Sequence, residues 1–163
     1  GAINSWAWTF GDGNTSTQQN PTNTYLVAGS YPVTLIIQTV GGCSDTAYGF
    51  AEVYPLPLAS FSTTPVCDED SMHFTDLSVA NATSITSWLW NFGDGGTSTA
   101  QNPSHLYALD GTYSVLLSVT NSNGCTDDTT INVEVYPLPI ANFTDSTDCQ
   151  LSQMHFLHFD THK

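Results

Sequence analysis

Trp88-Leu-Trp-Asn-Phe-Gly-Asp-Gly95 is the stretch that decides how this 163-residue chain folds. Trp88, Trp90 and Phe92 alternate with Leu89 and Asn91, the two-residue period of a strand that buries one face. Gly93-Asp94-Gly95-Gly96 then ends the strand. Glycine permits backbone that other residues avoid, and an aspartate carboxylate can bond the amides of its own turn. The reading is a strand running into a hairpin, with Asp94 structural and the indoles in the core. The same string stands earlier as Trp6-Ala-Trp-Thr-Phe-Gly-Asp-Gly13. There Trp8, Gly11, Asp12 and Gly13 occupy the places of Trp90, Gly93, Asp94 and Gly95.

The distance between the two strings is 82 residues, and at that offset Gly1–Phe74 lies ungapped on Thr83–Phe156 with 34 of 74 pairs identical. A fixed period of this length marks one folding unit copied in tandem. Pro-Leu-Pro at 55–57 and again at 137–139 punctuates it. The organisation expected is an N-terminally truncated unit (1–54), a complete unit (55–136) and the first strands of a third (137–163). A unit of about 80 residues buries only a small core. Tyr113, Val115, Leu117 and Val119 share one face of a further strand, Met72 and Phe74 share another, and Ile131, Val133 and Val135 close the unit. Turn clusters such as Asn121-Ser-Asn-Gly124 separate these runs, and no stretch has helical periodicity. Short strands at this spacing predict an all-β sandwich, with Tyr113 or Tyr107 clamping a corner.

Three blocks in order carry a family resemblance: Trp88–Gly95, Gln101-Asn-Pro-Ser-His-Leu-Tyr107 and Gly111-Thr-Tyr-Ser-Val-Leu-Leu117. Together they resemble the polycystic kidney disease (PKD) repeat. The first unit repeats them at Trp6–Gly13, Gln19–Tyr25 and Gly29–Leu35, with Asn23 where the family pattern has the histidine seen at His105. The resemblance implies tandem immunoglobulin-like β-sandwiches of about seven strands. With its Pro-Leu-Pro linkers and regular cysteines, the array is also similar to those of giant secreted surface proteins of gliding and other Bacteroidota.

Charge narrows the partners. One Lys, no Arg and 15 acidic residues give a formal charge of −14. Nucleic acid is excluded, since a polyanion needs Lys and Arg to replace its counterions. Anionic membrane surfaces are disfavoured likewise, and no apolar run is long enough to insert in a bilayer. Divalent cations, basic partners or plain solubility suit such a surface. No Gly-x-Ser-x-Gly is present, His105 is not repeated at Asn23, and His155, His158 and His162 form only a loose set. A non-catalytic protein that requires no cofactor is expected, calcium being the one ion considered.

Cys43, Cys67, Cys125 and Cys149 fall at repeat-equivalent positions and point to an extracellular, secreted protein. In an immunoglobulin-like topology Cys67 and Cys125 lie at opposite poles of one unit. The preferred pairing therefore joins the first-loop cysteine of one unit to the last-hairpin cysteine of the next, with an intra-unit bridge and free thiols as alternatives. Stacked poles would also oppose Asp68, Glu69 and Asp70 to Asp127 and Asp128 of a neighbour, where a calcium ion would relieve repulsion. Asp45-Thr46-Ala47, Asp128-Thr129-Thr130 and Asp145-Ser146-Thr147 resemble a Bacteroidota O-glycosylation signal, making Thr46, Thr129 and Ser146 candidate acceptors. Gly1 aligns deep inside a unit, and two periods nearly equal the chain length. This reads either as a window on a longer protein or as chains completed head to tail by neighbouring units or identical chains. The expected function is a structural, adhesive segment of a cell-surface filament or giant adhesin. The alternative is a substrate-binding accessory module of a secreted protease or polysaccharide hydrolase, touching surface glycans or proteins. That alternative needs a flat patch of exposed aromatics, whereas the aromatics here fall mainly at inward positions.

Overall fold

Alternation in the sequence becomes strands in the computed structural model, which describes residues 2–144 together with Leu157 and His158. Every regular element among these residues is a strand. Unit one contains β1 (Ile3–Thr9), β2 (Thr15–Ser16), β3 (Gly29–Thr39) and β4 (Ser44–Val53), joined as one antiparallel sheet in the order β2-β1-β3-β4. Unit two contains β5 (Phe61–Thr63), β6 (Val66–Cys67), β7 (Ser71–Asp76), β8 (Ile85–Asn91), β9 (Thr97–Ser98), β10 (Ser104–Leu106), β11 (Gly111–Asn121) and β12 (Thr126–Tyr136). Two further strands follow, β13 (Phe143–Thr144) and β14 (Leu157–His158), which pair with each other.

Unit two is the expected immunoglobulin-like sandwich. One sheet runs β10-β7-β5, and the other runs β6-β12-β11-β8-β9. The opening segment crosses between them at Thr64-Pro65. β5 pairs antiparallel with β7, whereas β6 lies parallel to β12. Pro65 has no amide to donate, so a proline at this switch costs no ladder bond. The core sits between the layers. Trp90, Val115, Leu117 and Val119 on the larger sheet are sealed by Phe61, Met72 and Phe74 on the smaller. Trp90 meets Phe61 edge-on at 5.1 Å and Phe74 at 5.5 Å.

Unit one repeats the larger sheet of unit two and lacks the smaller among the described residues. The long hairpin keeps its register: Gly29 opposes Val53 and Leu35 opposes Ala47, as Gly111 opposes Val135 and Leu117 opposes Thr129. Residues 22–24, which match β10, form no strand. The opening hairpin recurs in the third segment with its register intact. Phe143 pairs with His158 and Thr144 with Leu157, as Phe61 pairs with Asp76 and Ser62 with Thr75.

Candidate functional site

The Gly-Asp-Gly turns are built as the sequence requires. Gly93 has φ +85° and Gly11 φ +79°, and a Cβ on either would lie 2.6 Å from a backbone oxygen, of Ser114 or Pro32 respectively. No side chain fits there. Asp94 accepts the Gly96 amide at 2.9 Å, and its other oxygen lies 2.7 Å from Nε2 of His105. Burial raises the acid's pKa, but the bonds from His105 and Gly96 and the charge of His105 outweigh it, holding Asp94 below the usual carboxylate range. In unit one, Asn23 donates to Asp12 at 2.8 Å and the Asn14 amide at 2.9 Å, and the Asn23 bond leads in depressing that carboxyl. Both tyrosines proposed for the corner work. Tyr113 donates to the Leu109 carbonyl and Tyr107 to that of Phe92, and Tyr31 and Tyr25 repeat both bonds. These groups are consumed in holding turns.

The cysteines and acids divide between the two ends of unit two. Cys67 stands opposite Tyr136 at one end of β12, and Cys125 precedes Thr126 at the other. The 11 residues of β12 span about 35 Å at roughly 3.3 Å per residue, whereas a disulfide needs Cα atoms within about 7 Å. No Cys67–Cys125 bridge can form. Cys43, Cys67 and Cys125 are free thiols here, and Cys149 lies outside the described residues, as does Ser146. Asp68 and Glu69 form a turn after β6, in which the Asp68 carboxylate accepts the Glu69 amide at 3.0 Å and the Asp68 amide bonds Tyr136. Asp70 lies beside them, exposed. Asp127, at the far end, accepts the Ala59 amide at 2.8 Å and so ties the start of unit two to its last hairpin; Asp128 is exposed. Among the described residues no three His, Cys, Asp or Glu side chains converge to hold a metal. Thr46 is exposed on β4, but Thr129 is half-buried opposite Leu117 because its Asp-Thr pair sits one residue out of step with Asp45-Thr46.

Two surfaces of unit one were not anticipated. The indoles were expected in the core, yet only Trp90 is fully enclosed; Trp8, Trp6 and Trp88 are half-buried. Trp8 keeps its local bond, donating from Nε1 to the Gln18 carbonyl as Trp90 does to Ala100. What it lacks is a cover. Val33, Leu35 and Ile37 lie half-open beside it, while their counterparts Val115, Leu117 and Val119 are fully buried. The opposite face of the same sheet presents Tyr48 (82% exposed) and Phe50 (75%), two residues apart on β4, with Ile36 (44%) on β3. Tyr48 pairs across the ladder with Thr34 and Phe50 with Pro32, so these side chains form one flat patch. The expectation that aromatics point inward fails at these positions. Unit two carries Thr130, Asn132 and Ser118 there. That contrast was available in the aligned repeats: the positions alternate correctly for a strand and differ only in polarity between copies.

Comparison with known proteins adds context to this geometry. The family described as PKD domain matches residues 1–53 and 54–135. A microbial collagenase of Vibrio alginolyticus is 49% identical over 65 residues, covering 40% of this chain and 8% of that protein. The pre-pro-metalloprotease PrtV of Vibrio cholerae is 52% identical over 46 residues, covering 28% of this chain and 5% of that protein. The chain thus spans less than a tenth of the curated relatives it matches. Among solved structures, the PKD1 domain of Vibrio anguillarum Epp aligns with TM-score 0.48 and 31% identity over 52% of this chain and 98% of that domain.

Proposed function

From the premise that this chain belongs to the PKD domain family, we propose that it is a non-catalytic structural segment of an extracellular, surface-bound array. The observation that carries this reading is what the repeat preserves. Core positions, turn carboxylates and corner tyrosines recur at 82 residues, while His105 does not and the outer-face residues Tyr48 and Phe50 do not. A repeat that keeps its fold and varies its surface serves spacing and display. Pro-Leu-Pro linkers, with φ fixed, restrict bending between units. Cysteines held at opposite ends of a unit can bridge only outward, to neighbouring units. The test is surface labelling of intact producing cells with antibodies to this chain, alongside protease and glycosidase assays of the culture supernatant. Label fixed on cells supports the array. Co-purification of the chain with a soluble hydrolase would overturn it.

A second reading rests on the patch of Tyr48, Phe50 and Ile36. The relatives named above are a collagenase and a metalloprotease, and an accessory module in such a protein would display a flat aromatic surface of this kind. Aromatic faces stack on the apolar faces of sugars and on extended peptides at low entropic cost. Retention on insoluble collagen or polysaccharide, lost when Tyr48 and Phe50 are both changed to serine, would favour it over the array.

A further inference from the structure

In unit two the opening segment leaves most of one edge of the larger sheet uncovered. β5 pairs with β7 in the smaller sheet, and β6 reaches β12 only at Val135 and Tyr136. The Asp68 amide donates to the Tyr136 carbonyl, so Tyr136 turns its backbone polar groups toward β6. Successive residues of a strand turn these groups to opposite edges. Glu134, Asn132, Thr130 and Asp128 therefore present theirs on the same edge as Tyr136. Among the described residues no strand lies beside Thr130 or Asn132 on that side. The register of β12 against β11 runs unbroken from Gly111–Val135 to Thr120–Thr126. The edge thus has no bulge, and β12 contains no proline or lysine, the devices that ordinarily protect an edge.

Beside this edge lies a groove of about 380 Å³, lined from both sheets by Phe61, Pro65, Ile131, Asn132, Val133 and Glu134. Ile131 stands on the inner face, opposite Val115, yet is 39% exposed. Gly49 and Ala51 hold the places of Ile131 and Val133 in unit one, so this apolar wall is particular to unit two. Charge sits on the other face of the strand. Glu134 accepts the Tyr136 hydroxyl at 2.9 Å, and Asp128 is exposed. We propose that the edge takes an extended peptide segment of a partner protein by strand addition, in continuation of β6. The two-residue period fixes the chemistry of that segment. Side chains turned into the groove are apolar and fill the space over Ile131 and Val133. Those between them are lysine or arginine and meet Glu134 and Asp128. A second copy of this chain is the wrong occupant: with one Lys and 15 acidic residues, it would set carboxylates against carboxylates. The inference rests on unit two alone and holds for either reading above.

A synthetic peptide alternating valine with lysine, about eight residues long to match an ordinary strand, tests the proposal on the full chain. Its controls are an isomer with the valines and lysines in separate blocks, which keeps the charge, and a peptide alternating valine with glutamate. Fluorescence anisotropy should show the alternating cationic peptide binding at least about tenfold more tightly than either control, or ~1.4 kcal/mol. Binding should slow exchange of the Thr130 and Asn132 amides, which face the free edge, and leave those of Thr129 and Ile131, which face β11, unchanged. Asn132→Pro removes an edge donor without touching the β11 ladder and should abolish binding. Glu134→Gln should weaken it. Exchange in the wild-type chain decides the matter even where the proline variant fails to fold. Equal binding of the blocked isomer would overturn the proposal, by reducing the contact to charge. So would unchanged exchange at Thr130 and Asn132, or a folded proline variant that binds like wild type. Protection of those two amides that grows with protein concentration in the absence of peptide would also overturn it, by making a second copy the occupant.

Discussion

Trp8 and Trp90 are the same residue in the same local sequence, on equivalent strands, with the same hydrogen bond to a loop carbonyl. One is half-open and the other fully enclosed. The difference lies wholly in a layer contributed from elsewhere in sequence, Phe61, Met72 and Phe74, whose counterpart is absent from unit one among the described residues. The pair separates two contributions that are usually measured together. Turns, corner clamps and hairpin register are local and survive without a second sheet. Burial is not local, and it is lost.

The largest expected effect breaks this comparison at its centre. Trp90→Ala removes an enclosed indole and should destabilise unit two by about 3–5 kcal/mol. Trp8→Ala, at a half-open indole, should cost unit one less than half as much. Amide exchange of β11 and β12 against β3 and β4 reads the two units separately.

The glycines should behave in the opposite way. Gly93→Ala and Gly11→Ala each meet a positive φ and a backbone oxygen at 2.6 Å, of Ser114 and Pro32 respectively. Each should destabilise its own sheet by about 2–3 kcal/mol, nearly equally, because the strain is local. Unequal costs in urea titration would show that unit one's turn relaxes without its second layer.

Asp76 sharpens the comparison because it belongs to the covering layer. It accepts the Trp88 indole N–H at 2.7 Å and the Gln101 amide at 3.1 Å. Burial raises its carboxyl, but bonds from Ser78, Gln101 and Trp88 bring it below the ordinary carboxylate value. A folded pKa below the unfolded one stabilises fully above the unfolded value, near 4. That contribution is lost as pH falls through the depressed folded value. Asp76→Asn should therefore cost about 1–2 kcal/mol at neutral pH and flatten the acid limb of unit two's stability curve. Unit one, having no Asp76 counterpart among the described residues, should be unmoved.

The smallest effect tests the corner. Tyr113→Phe and Tyr31→Phe each delete one bond to a loop carbonyl and should each cost about 1 kcal/mol. Thermal melts of the two variants should shift alike.

Much of this architecture is legible in the repeat. Strand alternation around Trp88, the Gly-Asp-Gly turns, the separation of Cys67 from Cys125 and the corner tyrosines all follow from local pattern and topology. The openness of Trp8 was not legible from alternation, because a period of two says which face a residue occupies and nothing about what lies above it. Tyr48 and Phe50 were missed for a related reason. They obey the strand period on the outer face, and only comparison with Thr130 and Asn132 marks them as unusual. Thr129 is half-buried although its motif matches that of exposed Thr46, since a shift of one residue along a strand turns a side chain from solvent toward the core.

By itself, the sequence determined the unit, its period, its turns and the register of its hairpins, because these depend on residues close together in the chain. Only the tertiary structure decided how deeply each residue of the two sheets is buried. It also decided that Trp8 stands half-open where Trp90 is enclosed, and that Tyr48 and Phe50 lie exposed together on the outer face of unit one. Burial is a relation between layers, and the partner of a layer need not lie on the same stretch of chain.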